Sequence, residues 1–395
     1  MLINKERLIE LLDHENPNVR NESIKALASF FKGSSNVIAP IIGAIDKYKE
    51  DSLSLVARIK FFIPNDEEIA ELIRLFNETD PEESDQSMNR HYHLQQSLLH
   101  FPVKVLTDNE KTIRFNEDLS QTMDIALSRE KVKAQNPDVL WDTMKDICTQ
   151  FNNKEMDREA SQHVWLLSQG LLRHREQIKH KIIMHLSQET EVDYHLEDIL
   201  VSMAGDLKIE ETVPFLFKLF KATDFMHLVH DKCIQSLGKI GGSQVVKTIE
   251  ADWHNEELRS EYSSILRRLP FDYSEDLLIR CLDQESKVEI KTFLCGALCD
   301  IFSLKGAEKV LEVVKKEEYD PQISHLWDYV VPVFIYHGKE IDDMDVIQEK
   351  QDEYIKSKRE SDPLYKASEG LRKTFDKIQK QHERDKAKKK KLQRK

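Results

Sequence analysis

The chain has 395 residues, of which 33% are charged, with 11 glycines, 11 prolines and a formal net charge of −13. That length exceeds what one hydrophobic core usually organises, so several domains or one elongated repeat array is expected. Scarce turn residues and the lack of sustained apolar alternation exclude a mainly β chain.

The first unit is a helix, turn, helix. Leu8, Ile9, Leu11 and Leu12 make one apolar stripe, Asn16-Pro17 interrupts it, and Val19, Ile24, Leu27, Phe30 and Phe31 make a second. Helices this short bury their faces only by stacking on further pairs, which predicts a solenoid with a broad surface. Asn16-Pro17, Asp80-Pro81, Asn136-Pro137, Asp320-Pro321 and Asp362-Pro363 each read as a helix start, with an Asx-Pro turn as the alternative for one or two.

Residues 77 to 89 are acidic and nearly free of apolar side chains, which predicts an exposed loop. Over 80–190 helical stripes recur without a clear period and read as divergent pairs of the same stack. The plainest repetition lies in 194–316, where matching Leu207, Ile240, Leu269 and Ile301 gives steps of 33, 29 and 32 residues. This spacing suits two helices of about a dozen residues and two turns.

LIELLDHENPNVRNESIKAL, within 4–32, resembles a HEAT repeat through Pro17, Val19 and Arg20. CIQSLGKIGGSQVVKTIEADW is similar to the shorter HEAT-like repeats of phycobilisome lyases through Leu237, Gly238, Ile240 and Gly241. The resemblance implies an all-α, right-handed α-solenoid of stacked antiparallel helix pairs, of the armadillo-like superfamily, over 1–338. His14 occupies the position where such repeats carry an aspartate, and Glu289 stands where a late repeat would place its arginine. The polar ladder between repeats is therefore expected to be broken, leaving apolar stacking.

Residues 339–380 form charged C-terminal helices. The last carries Leu364, Ala367, Leu371, Phe375 and Ile378 on one face and is expected to cap the array. The tail, 381–395, holds eight Lys or Arg; without it 50 basic and 69 acidic residues remain, a net −19. Arg384, Lys386, Lys388, Lys389, Lys390, Lys391, Arg394 and Lys395 are the candidate polyanion contacts, for RNA or a ribosome, with a solvated terminus as the alternative.

No catalytic, cofactor or metal site assembles by motif. His227, His230 and Cys233 share a helix face but lack a paired ligand motif; the histidines of Arg90-His91-Tyr92-His93 and the set His174, His180 and His185 are no better organised. HEAT-like iron hydroxylases need matched His-Glu pairs, whereas His14-Glu15 and His382-Glu383 occupy unrelated positions. Helical-repeat DNA glycosylases use a basic groove with aromatic residues; Trp141, Trp165, Trp253 and Trp327 read instead as core or interface side chains. Five dispersed cysteines, charges throughout the N-terminal stretch and a longest apolar run of only Tyr329 to Tyr336 predict a cytoplasmic protein without a membrane span. The leading expectation is a non-enzymatic scaffold that binds a protein or peptide along one helical face. A nucleic-acid or ribosome factor using the tail comes second, and a lyase or glycosylase third.

Overall fold

The computed structural model describes residues 2–151, 155–188, 194–223 and 228–361. Among these residues every regular element is an α-helix or a short 3-10 turn, so the chain is all-α. The first helices are α1 (Lys5–Glu10), α2 (Pro17–Phe30), α3 (Ile38–Lys47), α4 (Leu53–Val56), α5 (Asp66–Glu78), α6 (Asp85–Leu98), α7 (Val103–Asp108) and α8 (Glu110–Arg114). The middle of the chain gives α9 (Glu117–Lys133), α10 (Pro137–Gln150), α11 (Arg158–Leu171), α12 (Arg175–Ser187), α13 (Tyr194–Asp206), α14 (Val213–Ala222) and α15 (Leu228–Ile240). Last come α16 (Gly242–Asp252), α17 (Arg259–Leu266), α18 (Asp272–Gln284), α19 (Val288–Asp300), α20 (Leu304–Lys315), α21 (Leu326–Tyr336) and α22 (Met344–Ser361).

Asx-Pro pairs divide by what their side chains cap. Asn16 and Asn136 accept from the backbone N–H of Asn18 and Asp138, each at 2.8 Å, and place Pro17 and Pro137 at the start of α2 and α10. Proline loses no bond there, because the first-turn N–H has no helical partner. Asp80 and Asp320 instead accept from Glu82 and Gln322 at 2.9 Å and close turns that no helix continues. Asp362-Pro363 and the apolar face of 364–378 lie outside the described residues. The acidic stretch expected as a loop is half helix. Ser84 accepts from Ser87 N–H and starts α6 at Asp85, a cap that the charge density obscures.

Alternate helices pack side by side: α13 on α15, α15 on α17, α17 on α19 and α19 on α21. Leu207, Ile240, Leu269 and Ile301 stand at or just beyond the ends of α13, α15, α17 and α19, so the sequence repeat marks equivalent places. Gly205 lets the first two approach. A Cβ there would meet Ser236 Cα at 2.8 Å, and Ser236 Oγ donates to Val201 O at 2.8 Å across the contact.

The packing then returns to the beginning of the chain. α21 lies against α2, α2 against α4, α4 against α6, α6 against α9 and α9 against α11, while α10 touches both α11 and α13. Successive neighbours thus complete a circuit. Leu2 N–H donates to Pro270 O at 3.0 Å, and Asn4 N–H donates to Tyr336 Oη at 2.6 Å. Arg7 donates to Tyr336 O and Ile335 O, both at 3.2 Å, and Asn18 Nδ2 donates to Asp328 Oδ1 at 2.9 Å.

One apolar cluster follows this closure, running through Leu8, Ile24 and Leu27 of the first pair as well as Leu298, Val330 and Val333 near the other end. A second gathers Leu140, Met144, Leu167, Ile182 and Leu200 from α10 to α13. The charged α22 docks by a polar row: Gln351 accepts from Tyr319 Oη at 2.6 Å and donates to Val314 O at 3.0 Å, and Tyr354 Oη donates to Tyr319 O at 2.8 Å.

Candidate binding face

Arg20 shows how the polar linkage between repeats survives without the aspartate. Its side chain, 1% exposed, donates from Nη1 to His14 O and Glu15 O at 2.8 Å, lies 3.7 Å from the Tyr48 ring centre and reaches to 3.8 Å of Asp51. Backbone carbonyls and an aromatic face replace the missing carboxylate. Arg259 repeats the arrangement. It donates to Trp253 O at 3.0 Å, the same six-residue reach as Arg20 to His14, sits over the Trp253 ring and pairs with buried Glu285 at 3.1 Å. Glu289 itself is exposed, so no equivalent arginine linkage stands there.

The candidate site is a row of charged side chains where α13, α15, α17, α19, α2 and α4 meet in turn. Asp206 pairs with Lys239 at 2.9 Å, and Arg267 pairs with Asp300, again 33 residues on. Lys25 completes the passage into the first repeat by donating to Asp300 at 2.6 Å and to Glu22 at 3.1 Å, with its ammonium 5.0 Å from the Tyr329 ring centre. Asn21 bonds Ser54 one helix further on, a third 33-residue link, and Arg58 is anchored on Ser54 O at 3.0 Å.

Burial tunes these groups. Desolvation raises the Glu22 carboxyl above its ordinary range, against the pull of Lys25. Burial disfavours charge on Lys25, but Asp300 and Glu22 together outweigh it and hold the ammonium above its usual pKa. Desolvation lowers both Arg58 and Arg268, which stay cationic because a guanidinium titrates so high. Arg268 owes its position to Gly238, where any Cβ would stand 2.4 Å from its Cδ. The result is a surface of fixed charges shared by six helices.

The residues singled out from the sequence go elsewhere. His227 and all eight basic residues from Arg384 to Lys395 lie outside the described residues, as does His382-Glu383. His230 is buried 4.5 Å from the Phe220 ring, with Nδ1 3.3 Å from Thr223 O, and burial pushes the Cys233 thiol up to about 12. His91 stacks on Phe76 at 3.9 Å, and His185 lies 3.8 Å from Glu197. Trp141 and Trp327 are buried, Trp253 underlies Arg259, and Trp165 is half-buried beside His100. Among the described residues, no three His, Cys, Asp or Glu side chains form a metal-holding group. No helix among them is long and apolar enough to cross a membrane.

Sequence reasoning missed the charged row, although its signal was present. Asp206, Lys239, Arg268 and Asp300 each immediately precede one of the four apolar residues that define the repeat. Neither a family model nor a curated protein sequence matches the chain.

Proposed function

We propose that the chain is a non-enzymatic HEAT-repeat scaffold, a right-handed solenoid in which the first repeat docks back on the last ones, and that it binds a protein or peptide along one helical face. The observation that carries this reading is the charged row from Asp206 through Asp300 and Lys25 to Arg58, which spans many helices rather than converging on one reacting atom. Such a distributed, prearranged surface suits recognition of an extended partner, because groups already held in place lose little freedom on binding. A cytoplasmic setting accords with five free cysteines, all buried.

Affinity capture with the full chain, with and without nuclease, followed by reconstitution with each purified partner, tests the proposal. A direct protein complex that survives nuclease and is weakened by reversing charge at Arg58 and Arg268 is expected. Loss of every partner with nucleic acid would favour a tail-dependent nucleic-acid factor instead.

A further inference from the structure

Beyond the charged row, a second group of basic side chains lacks the acidic partners found elsewhere. Lys32 is exposed just after α2 and Lys60 is half-buried in the turn before α5; they lie 6.0 and 5.4 Å from the centre of the same Phe61 ring. Among the described residues neither lysine makes an ion pair within 4 Å. The Phe61 turn packs on α6, which carries His93 and leads into His100. Arg129 of α9 ties down that connection by donating to Leu99 O at 2.5 Å and Phe101 O at 2.7 Å. His100 lies 6.4 Å from the Trp165 ring.

The electrostatics agree with this gathering. After burial, the influences that depress His100 are the cations Lys60, Arg129 and Lys32, and those on His93 include Lys60. The nearest acid to Arg129 is its neighbour Glu130, already held by Lys133 at 2.9 Å and Arg173 at 3.3 Å. Most of the other surface lysines with carboxylates close by are paired, as Lys47 with Asp13 and Lys309 with Asp283 show. This basic surface therefore stands out on a chain whose net charge is −13.

We propose that Lys32, Lys60, His93, His100 and Arg129 form a docking site for an acidic segment of a partner polypeptide. The inference rests on the scaffold reading and names the chemistry of its partner. Two observations favour a short carboxylate-rich segment over a nucleic-acid strand. Net negative charge repels a long phosphate backbone, and the lysines lie over the Phe61 ring that a base would use for stacking. The ammonium groups instead offer point charges, while Arg129 fixes the backbone between them through its fork.

The test uses the full chain and a ten-residue glutamate peptide, with lysine acetylation read by mass spectrometry and affinity read by fluorescence anisotropy. The peptide should slow acetylation of Lys32 and Lys60 by about fivefold or more while leaving Lys315 and Lys316 unchanged, and Lys32→Ser with Lys60→Ser should weaken binding by about tenfold. A Lys315→Ser, Lys316→Ser chain of unchanged net charge relative to that variant controls for long-range effects and should bind like the parent. Protection confined to lysines 386–395, equal affinity of all three chains, or stronger protection of Lys32 and Lys60 by an oligonucleotide of the same charge would overturn the proposal. A direct protein complex recovered by affinity capture would leave the scaffold reading standing even then.

Discussion

Lys25 of α2 and Asp300 of α19 pair at 2.6 Å, joining the first repeat to one of the last. Asp300 is 6% exposed in its side chain and also pairs with Arg267, so it holds two cations from different helices together. Removing it leaves Lys25 and Arg267 to repel each other in a partly desolvated place. Asp300→Asn should therefore destabilise the fold by about 1 to 3 kcal/mol, a range reduced from that of a fully buried pair because both cations reach solvent. Urea unfolding checks this, and an unchanged midpoint would remove the pair from the forces that close the circuit.

Glu22 gives the same junction a pH dependence of known sign. Burial raises its folded pKa, so the native state holds the proton more tightly than the unfolded chain, and stability falls as pH rises through that window. Glu22→Gln should thus be at least as stable as the parent at pH 7, with the difference shrinking as pH approaches about 4. A variant less stable than the parent by a margin that widens with pH would show that the attraction of Lys25 outweighs burial.

The cysteines supply a test of packing throughout the chain. Cys148, Cys233, Cys281, Cys295 and Cys299 are all buried, and desolvation pushes the Cys233, Cys281 and Cys295 thiols up to about 12. The thiolate is the reactive species, so a thiol reagent at pH 8 should leave the native protein essentially unmodified and label all five after denaturation. Rapid native labelling of any one would locate a region that opens readily.

Gly205 sets the closest approach of α13 and α15. A methyl group there would collide with the Ser236 backbone, not merely with a movable side-chain end, so the helices must separate. Gly205→Ala should cost about 1 to 3 kcal/mol despite the better helix propensity of alanine, and a calorimetric Tm should fall. A raised Tm would mean that the pair yields without strain.

The sequence and the structure agree where the forces are local. Asn16-Pro17 and Asn136-Pro137 start helices because a neighbouring side chain caps them, and the apolar spacing of Leu207 to Ile301 marks alternate helix ends. Asp80-Pro81 and Asp320-Pro321 look alike in sequence but close turns, since the residues after each proline decide whether a helix propagates. Arg20 kept its linking role through carbonyls and Tyr48, partners that no side-chain motif encodes. Least legible was the return of α21 to α2: Asn18 meeting Asp328, or Lys25 meeting Asp300, depends on the accumulated geometry of every intervening helix. The charged row was half legible, because its residues track the repeat while its continuation into Lys25 depends on closure.

That closure is best tested at Asn18 and Asp328, whose side chains meet at 2.9 Å and are both partly accessible. A full-length chain carrying Asn18→Cys and Asp328→Cys, treated as a dilute monomer with a short thiol-to-thiol cross-linker, should form an internal link between those two positions. The native cysteines should stay unmodified because they are buried. Efficient formation of that link is the expected result; complete alkylation of both introduced cysteines by a monofunctional reagent, with no internal link from the short cross-linker, would contradict a first repeat docked on α21.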